Sequence, residues 1–159
     1  MKKVKDIMTG SKVKYCNLNT RLLNVSKIMK KSNIGVLPLV DQNKKVIGVI
    51  TDRDICLALA NKKKNLAKVS VKDVISQVKL NTIKAGDDIK KAMREMRINK
   101  ISRLPVTDKN GKLRGILSLN NLISNTLKKK GKLGKISSSK ENLAKTIKSI
   151  LDRNAPKLV

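Results

Sequence analysis

Apolar residues recur along this chain at two spacings, one typical of helices and one typical of short strands. At helical spacing, one face collects Leu22, Val25, Ile28 and Met29, and a second face collects Ile89, Ala92, Met93 and Met96. Apolar runs of strand length follow each helix, at Val36–Val40 and Arg103–Thr107, and return after a polar turn at 46–50 and 113–117. The pattern predicts an α/β (α+β) fold in which the order β-α-β-β-α occurs twice.

The ends of these elements carry signals of their own. Asn110-Gly111, in the turn of the second strand pair, is typical of a tight hairpin. Asp87 precedes the helix of the second copy, and we expect it to be the N-cap of that helix. The closing helices are predicted to begin near Thr51 and Ser118.

The two copies are related by a shift of 67 residues, over which the chain aligns with itself without a gap. Val4-Lys5-Asp6-Ile7-Met8-Thr9 falls on Val71-Lys72-Asp73-Val74-Ile75-Ser76, and Leu37-Pro38 falls on Leu104-Pro105. Asp41, Gly48 and Thr51 fall on Asp108, Gly115 and Ser118. A repeat of this kind implies two like units that bury their faces against each other.

Composition argues against an enzyme and against a metal site. The chain has no histidine, so no Ser-His or Cys-His nucleophile pair can form. Cys16 and Cys56 lie far apart without metal-ligand spacing, and we expect two buried thiols that act as small hydrophobes. No run approaches the ~20 apolar residues of a membrane span, and the charged start is unlike a secretory signal, so we expect a cytoplasmic protein.

The charge is unusual, because 38 Lys and Arg against 11 Asp and Glu give +27. Such an excess attracts polyanions through counterion release. A Lys-rich coding bias, or adaptation to high temperature or salt, is an alternative explanation for the excess of basic residues. Residues 128–159 hold ten basic and two acidic residues, so most of the excess lies before residue 128.

The repeated elements resemble the CBS motif. The residues that carry the resemblance are the Val4–Thr9 start, a helix with Met29, Leu37-Pro38 with Asp41, and Gly48 with Thr51. Two copies in register resemble a Bateman module over about residues 1–127, with motif 1 at 1–67 and motif 2 at 68–127. The resemblance implies a pseudo-twofold arrangement of the motifs and a homodimer.

In that family, adenosine ligands bind in clefts between the motifs, and an acid at the end of a Thr/Ser-x-x-Asp segment holds the ribose hydroxyls. Here the segment is Thr51-Asp52-Arg53-Asp54, with Asp54 as the acid. We expect free N–H groups and the helix dipole near Thr51 to favour phosphate, with Arg53 as a further contact. Thr51-x-x-Asp54 also has the form of a capping box, and both roles can hold for Thr51.

The resemblance assigns further walls of the same site. Gly35-Val36-Leu37-Pro38 precedes and enters the first hairpin strand, and Gly35 would let the backbone approach a ligand closely. A simple bend before an edge strand is the alternative for Gly35. Cys16, Asn17 and Leu18 match the positions that contact adenine.

The second copy departs from the pattern. Asn121 stands where the acid is expected after Ser118, and it offers an acceptor without a charge. Ser102 replaces the glycine, and the following Arg103 is a cation that can reach a phosphate or lie in solvent. We therefore expect one nucleotide site in motif 1 and a degenerate second site.

The tail at 128–159 begins with a basic, Gly-punctuated linker. Ser138–Glu141 then has capping-box form, and an apolar stripe of Leu143, Ile147, Ile150 and Leu151 predicts a short, basic amphipathic helix that ends before Asn154-Ala155-Pro156. We expect this helix to dock on its own module or on a second copy, rather than on a membrane or an anionic partner.

Together these features favour a regulatory sensor that binds AMP, ADP, ATP or S-adenosylmethionine and signals to a separate partner protein. The adenine nucleotide would be a ligand, and no catalytic cofactor is expected. Two alternatives stay open: a basic protein associated with nucleic acid or the ribosome, and a dimerisation scaffold that binds no ligand. The near absence of aromatic residues, with Tyr15 as the single one, argues against single-strand binding but leaves structured RNA or duplexes.

Overall fold

The predicted helices and the two predicted hairpins are present in the computed structural model, which describes residues 2–10, 13–60, 67–75, 80–127 and 138–154. The α-helices are α1 (Leu22–Ser32), α2 (Asp52–Ala60), α3 (Ile89–Asn99), α4 (Leu119–Leu127) and α5 (Ser138–Asn154). The strands are β1 (Val36–Val40), β2 (Val46–Thr51), β3 (Ile83–Lys84), β4 (Arg103–Thr107) and β5 (Leu113–Ser118). Short 3-10 helices lie at Val4–Asp6 and Val71–Asp73. The α/β fold with two repeated copies is therefore confirmed.

The chain divides into two compact units whose limits differ from those of the repeats. Unit 1 contains Met1–Val13, Asn81–Lys109 and Arg114–Val159, whereas unit 2 contains Lys14–Leu80 and Asn110–Leu113. The leading segment of each repeat thus belongs to the unit built mainly from the other repeat. The division of the chain at residues 67 and 127 stays a prediction.

The leading segments are held by one fully buried valine each. Val4 lies in the core of unit 1 with Met96 and Leu104. Val71 lies in the core of unit 2 with Leu22. Burial of a valine side chain contributes about 2 kcal/mol. The valine of each Val-Lys-Asp sequence therefore anchors its leading segment in the core of the unit.

In unit 2, β1 pairs with β2 in antiparallel register, with Val36 opposite Thr51 and a bulge between Leu39 and Val40. The predicted first strand of this copy is reduced to one parallel bridge between Cys16 and Leu39. The Cys16 N–H donates to the carbonyl of Pro38 (3.0 Å), and the Val40 N–H donates to the carbonyl of Cys16 (2.9 Å). In unit 1 the corresponding strand, β3, is present and pairs in parallel with β4 in the order β3-β4-β5.

The cores are aliphatic, as the composition requires. Leu22, Val25 and Met29 of α1 are buried in unit 2, and Ala92, Met93 and Met96 of α3 are buried in unit 1. The remaining members of the two predicted faces, Ile28 and Ile89, pack against these cores while partly exposed. Both predicted helix faces are thus confirmed.

The N-cap of α3 is Asp88, not Asp87, so the prediction was wrong by one residue. The Oδ1 atom of Asp88 accepts from the Lys90 N–H at 2.7 Å. The Oδ2 atom of Asp87 accepts from the backbone N–H of Lys84 and from Nζ of Lys91, each at 3.0 Å. Partial burial opposes ionisation of Asp87, but these hydrogen bonds and positive charges leave the pKa of its carboxyl below the usual value.

The tail helix α5 packs against α3 and α4 within unit 1, which confirms docking on the chain's own module. Leu143 and Ile150 are buried in the core of unit 1, and Ile147 packs against it. Two hydroxyls add polar contacts: buried Thr146 donates to the carbonyl of Asn142 (2.7 Å), and Ser149 donates to the carbonyl of Arg97 (3.1 Å). Residues 128–137, which include the predicted linker, and the side chains of Ser138 and Ser139 lie outside the described part of the structure.

We expect Ile150→Ala to lower the free energy of unfolding by about 2 kcal/mol, because it removes a core side chain of unit 1. The control is Leu151→Ala at the neighbouring position, where the side chain is 61% exposed. We expect that variant to change the free energy of unfolding by less than about 0.5 kcal/mol. Urea denaturation followed by circular dichroism measures both. Equal losses in the two variants would contradict docking through this face of α5.

Candidate functional site

The segment that the sequence singled out lies in unit 2, at the junction between β2 and α2. Thr51 is the last residue of β2, and α2 begins at Asp52. Because Val36 pairs with Thr51, the Gly35-Val36 segment lies directly beside this junction. The Asp52 N–H donates to the carbonyl of Gly35 at 3.1 Å. The structure therefore brings the two predicted walls of the site together within one unit.

A reciprocal capping box closes the junction. The N–H and the hydroxyl of Thr51 each donate to Oδ2 of Asp54 at 2.7 Å, and the Asp54 N–H donates to Oγ1 of Thr51 at 3.2 Å. Both side chains are half-buried. The capping role that the sequence left open is thus confirmed. Since both bonds to the Asp54 carboxylate use Oδ2, its Oδ1 atom can accept from a ligand while the box stays intact.

The lack of a side chain at Gly35 leaves room for the carboxylate of Asp52. A Cβ at this position would lie 2.6 Å from Oδ2 of Asp52, so the exposed Asp52 side chain would have to move. The Asp52 carboxylate therefore occupies the space beside the Gly35 backbone. Its Oδ1 atom accepts from the N–H of Arg53 at 2.8 Å.

The structure does not meet the expectation that free N–H groups at the start of α2 favour phosphate. The N–H groups of residues 51, 52, 53 and 54 donate, in order, to Asp54 Oδ2, Gly35 O, Asp52 Oδ1 and Thr51 Oγ1. The chain's own atoms thus satisfy the peptide groups at this junction. Arg53, the predicted phosphate contact, lies exposed in the first turn of α2.

The other predicted residues of the first site differ in accessibility. Leu37 is fully buried in the core of unit 2, and Val36 and Pro38 are buried in β1, so the side chains of these three residues are not open to a ligand. Asn17 and Leu18 are exposed and lie in a turn after the Cys16 bridge. The Asn17 carbonyl Oδ1 accepts from Asn19 N–H (3.0 Å) and from the hydroxyl of Thr20 (3.2 Å), which fixes this turn.

Unit 1 contains the same junction with different chemistry. The N–H and hydroxyl of Ser118 donate to Oδ1 of Asn121 at 2.9 and 2.7 Å, and the Asn121 N–H donates to Oγ of Ser118 at 3.2 Å. The Leu119 N–H donates to the carbonyl of Ser102 at 2.8 Å, as Asp52 does to Gly35. The predicted cation, Arg103, is exposed at the start of β4. An amide thus supports the same box as a carboxylate.

A cavity of about 300 Å³ beside Asn121 was not found by sequence reasoning. Its lining joins Lys2, Asp6, Ile7 and Met8 of the leading segment to Asn121, Ser124 and Asn125 of α4. Nζ of Lys2 donates to Oδ1 of Asn125 at 2.7 Å. The two segments are more than 110 residues apart in the sequence, so local patterns did not predict that they pair. In the structure both belong to unit 1.

The two cysteines differ, and the expectation of two buried thiols was wrong for Cys56. Cys16 is buried, and desolvation raises the pKa of its thiol to about 12. Cys56 is exposed on α2. Among the described residues, no group of three or more His, Cys, Asp or Glu side chains is placed to hold a metal ion. Nor is any helix in that part of the chain long and apolar enough to cross a membrane.

Comparison with known proteins identifies the class of protein that this fold and these junctions define. The CBS domain family matches the chain twice, over residues 4–61 and 69–128. The chain therefore belongs to the CBS domain family, as a tandem pair.

Three similar proteins place the chain within that family. Protein YlbB of Bacillus subtilis is 33% identical over 124 residues, which cover 77% of this chain and 80% of YlbB. The CBS domain pair of protein MJ0100, solved in complex with 5′-methylthioadenosine and S-adenosyl-L-methionine, has a TM-score of 0.67 and 30% identity and covers 82% of this chain and 99% of that one. CBSX2, solved in complex with AMP, has a TM-score of 0.69 and 25% identity and covers 82% of this chain and 100% of that one.

We expect a thiol reagent such as DTNB to label Cys56 rapidly in the folded protein and Cys16 only after unfolding. The thiolate is the reacting species, and burial keeps the Cys16 thiol protonated. Released chromophore, followed at mildly alkaline pH with and without denaturant, measures both sites. Cys56→Ser is expected to abolish the fast reaction. Two fast-reacting thiols in the wild type would contradict the burial of Cys16.

Proposed function

We propose that this chain is a regulatory module, without catalytic activity, that binds an adenosine-containing small molecule at the β2–α2 junction. The observation that carries the proposal is the Thr51–Asp54 box, in which Oδ2 of Asp54 is used by the protein and Oδ1 can face a ligand. A half-buried carboxylate held in this way is preorganised to accept hydrogen bonds from a ribose hydroxyl.

The backbone beside the box suits the rest of a nucleoside. Gly35 is half-buried beside the box and has no side chain, so the planar base of a nucleoside can approach its backbone closely. The two similar CBS pairs solved with adenosine compounds support the same ligand class for this chain.

A sensor needs a readout as well as a ligand. We propose that the chain acts as a homodimer and that ligand binding alters its contacts with a separate effector protein. The ligand can do so only if its affinity differs between two arrangements of the module. Size-exclusion chromatography with light scattering, with and without ligand, tests the oligomeric part of this proposal.

Asp54→Asn separates binding from capping. The box in unit 1 already uses an asparagine with the same three hydrogen bonds, so we expect the variant to fold and its free energy of unfolding to change by less than about 0.5 kcal/mol. Because a hydrogen bond to a charged group is worth about 1.5–3 kcal/mol, we expect adenosine-compound affinity to fall roughly 10- to 100-fold. Isothermal titration calorimetry with 5′-methylthioadenosine and with AMP measures this.

Asp54→Ala is the companion variant, since it removes both the cap and the acceptor. We expect it to lose binding and also to lower the free energy of unfolding by about 1 kcal/mol. Asp152→Asn, which removes one negative charge from an exposed position on α5, controls for a change of charge away from the site. Unchanged affinity in both Asp54 variants, or no adenosine compound bound by the wild type, would refute the proposal.

A specific observation also favours a second function, binding of duplex nucleic acid. The packed helices α3 and α5 carry exposed basic side chains, namely Lys90, Lys91, Arg94, Lys140, Lys145 and Lys148. The ion pairs found within the described residues engage only Lys91, with Asp87, and Lys145, with Glu141. The remaining charges on these two helices could contact phosphate groups of a duplex.

Duplex RNA binding to this face is expected to weaken steeply with salt. The double variant Arg94→Gln/Lys148→Gln is expected to lower the slope of log affinity against log salt by about 1 for each phosphate that the variant no longer neutralises. Fluorescence anisotropy of a labelled duplex measures the slope. The matched control, Lys30→Gln/Lys31→Gln, removes two exposed charges from α1 of unit 2. Equal slopes in both double variants would mean that the attraction comes from net charge alone.

A further inference from the structure

We propose that the site at the β2–α2 junction selects adenosine derivatives without a phosphate group, with a neutral or cationic 5′ substituent such as a thioether or a sulfonium. Asp52 is the residue that sets this preference. The inference rests on the proposed function, because it concerns the ligand of the same site.

The first observation is that the start of α2 has no peptide group left to offer. Helix N-termini bind phosphate through unsatisfied N–H groups, and those of residues 51–54 all donate to atoms of the protein. A phosphate would have to break one of these bonds in order to gain one. The N–H groups that this helix start could offer to a phosphate are therefore all used by the protein.

The second observation is the charge at the same place. Asp52 and Asp54 both lie in the first turn of α2, where a negative charge interacts favourably with the helix dipole. Arg53 is the cation between them. Asp52 and Arg53 are both exposed, so solvent screens both charges, whereas Asp54 is half-buried. Two carboxylates against one guanidinium leave this turn with a net negative charge, which repels a dianion.

The third observation is the position of the Asp52 side chain. Its Oδ2 atom lies beside Gly35, 2.6 Å from where a Cβ of residue 35 would be, and its Oδ1 atom accepts a hydrogen bond from the N–H of Arg53. In unit 1 the corresponding positions are Ser102, which has a Cβ, and Leu119, which has no charge. The glycine and the acid occur together at one junction and are both absent from the other.

The ligand class follows from this charge pattern. A thioether is neutral and avoids the repulsion, and a sulfonium with its positive charge gains attraction from both carboxylates. A 5′-phosphate carries up to two negative charges and gains no N–H donors in exchange. Adenosine compounds that end in sulfur should therefore bind more tightly than AMP, ADP or ATP.

Calorimetry of this chain with 5′-methylthioadenosine, S-adenosylmethionine and AMP tests the inference. The net charge of +27 also attracts AMP at long range, so the titrations are run at about 0.15 M salt, which screens that attraction. AMP binding that survives Asp54→Ala belongs to another site and is subtracted. In the wild type we expect 5′-methylthioadenosine to bind at least about fivefold more tightly than AMP under these conditions.

A variant that acts on the charge of Asp52 gives a direct check. Asp52→Asn should tighten AMP binding roughly three- to tenfold while changing 5′-methylthioadenosine affinity by less than about twofold. Asp152→Asn, which removes one negative charge from an exposed position on α5, is the control for net charge.

The outcomes separate this inference from the proposed function. Equal affinity of the wild type for AMP and 5′-methylthioadenosine, or an affinity ratio unchanged by Asp52→Asn, overturns the selectivity while the adenosine site stands. Failure of every adenosine compound to bind overturns the proposed function, and the inference with it.

Discussion

The hydrogen bonds of peptide groups where β2 ends and α2 begins are the interaction on which the candidate site depends. A helix start leaves N–H groups without intrahelical partners, and burying them unsatisfied costs about as much as a lost hydrogen bond. Here Gly35, Thr51, Asp52 and Asp54 supply the partners. The same atoms align α2 with β1 and surround the candidate site, so the fold and the candidate site share one set of bonds.

The second junction shows which parts of this arrangement are scaffold and which are chemistry. Ser118 and Asn121 reproduce the box, and Ser102 and Leu119 reproduce the bond between carbonyl and N–H, without any acid. The backbone geometry therefore needs only an acceptor three residues into the segment. Charge is free to vary on this scaffold, which is how two copies of one repeat can present different surfaces to ligands.

Sequence reasoning predicted the repeat, the limits of β1 and β4, and the buried faces of α1 and α3, because each depends on local periodicity. It also named both possible roles of the Thr51–Asp54 segment. It misplaced the N-cap of α3, since Asp87 and Asp88 are equally good cap residues in sequence and only tertiary contacts assign Asp87 to Lys84 and Lys91. It judged Cys56 buried, although helix phase alone does not tell which face another element covers.

The sequence by itself thus determined the family, the order of the elements and the residues at each junction, since all of these are written in periodicity and spacing. Only the tertiary structure decided that the leading segment of each repeat joins the unit built mainly from the other, and that α5 closes the core of unit 1. It also decided that the N–H groups at the start of α2 donate to the protein's own atoms. These features depend on which distant groups satisfy which donors and cover which apolar faces, and a one-dimensional pattern does not contain that information.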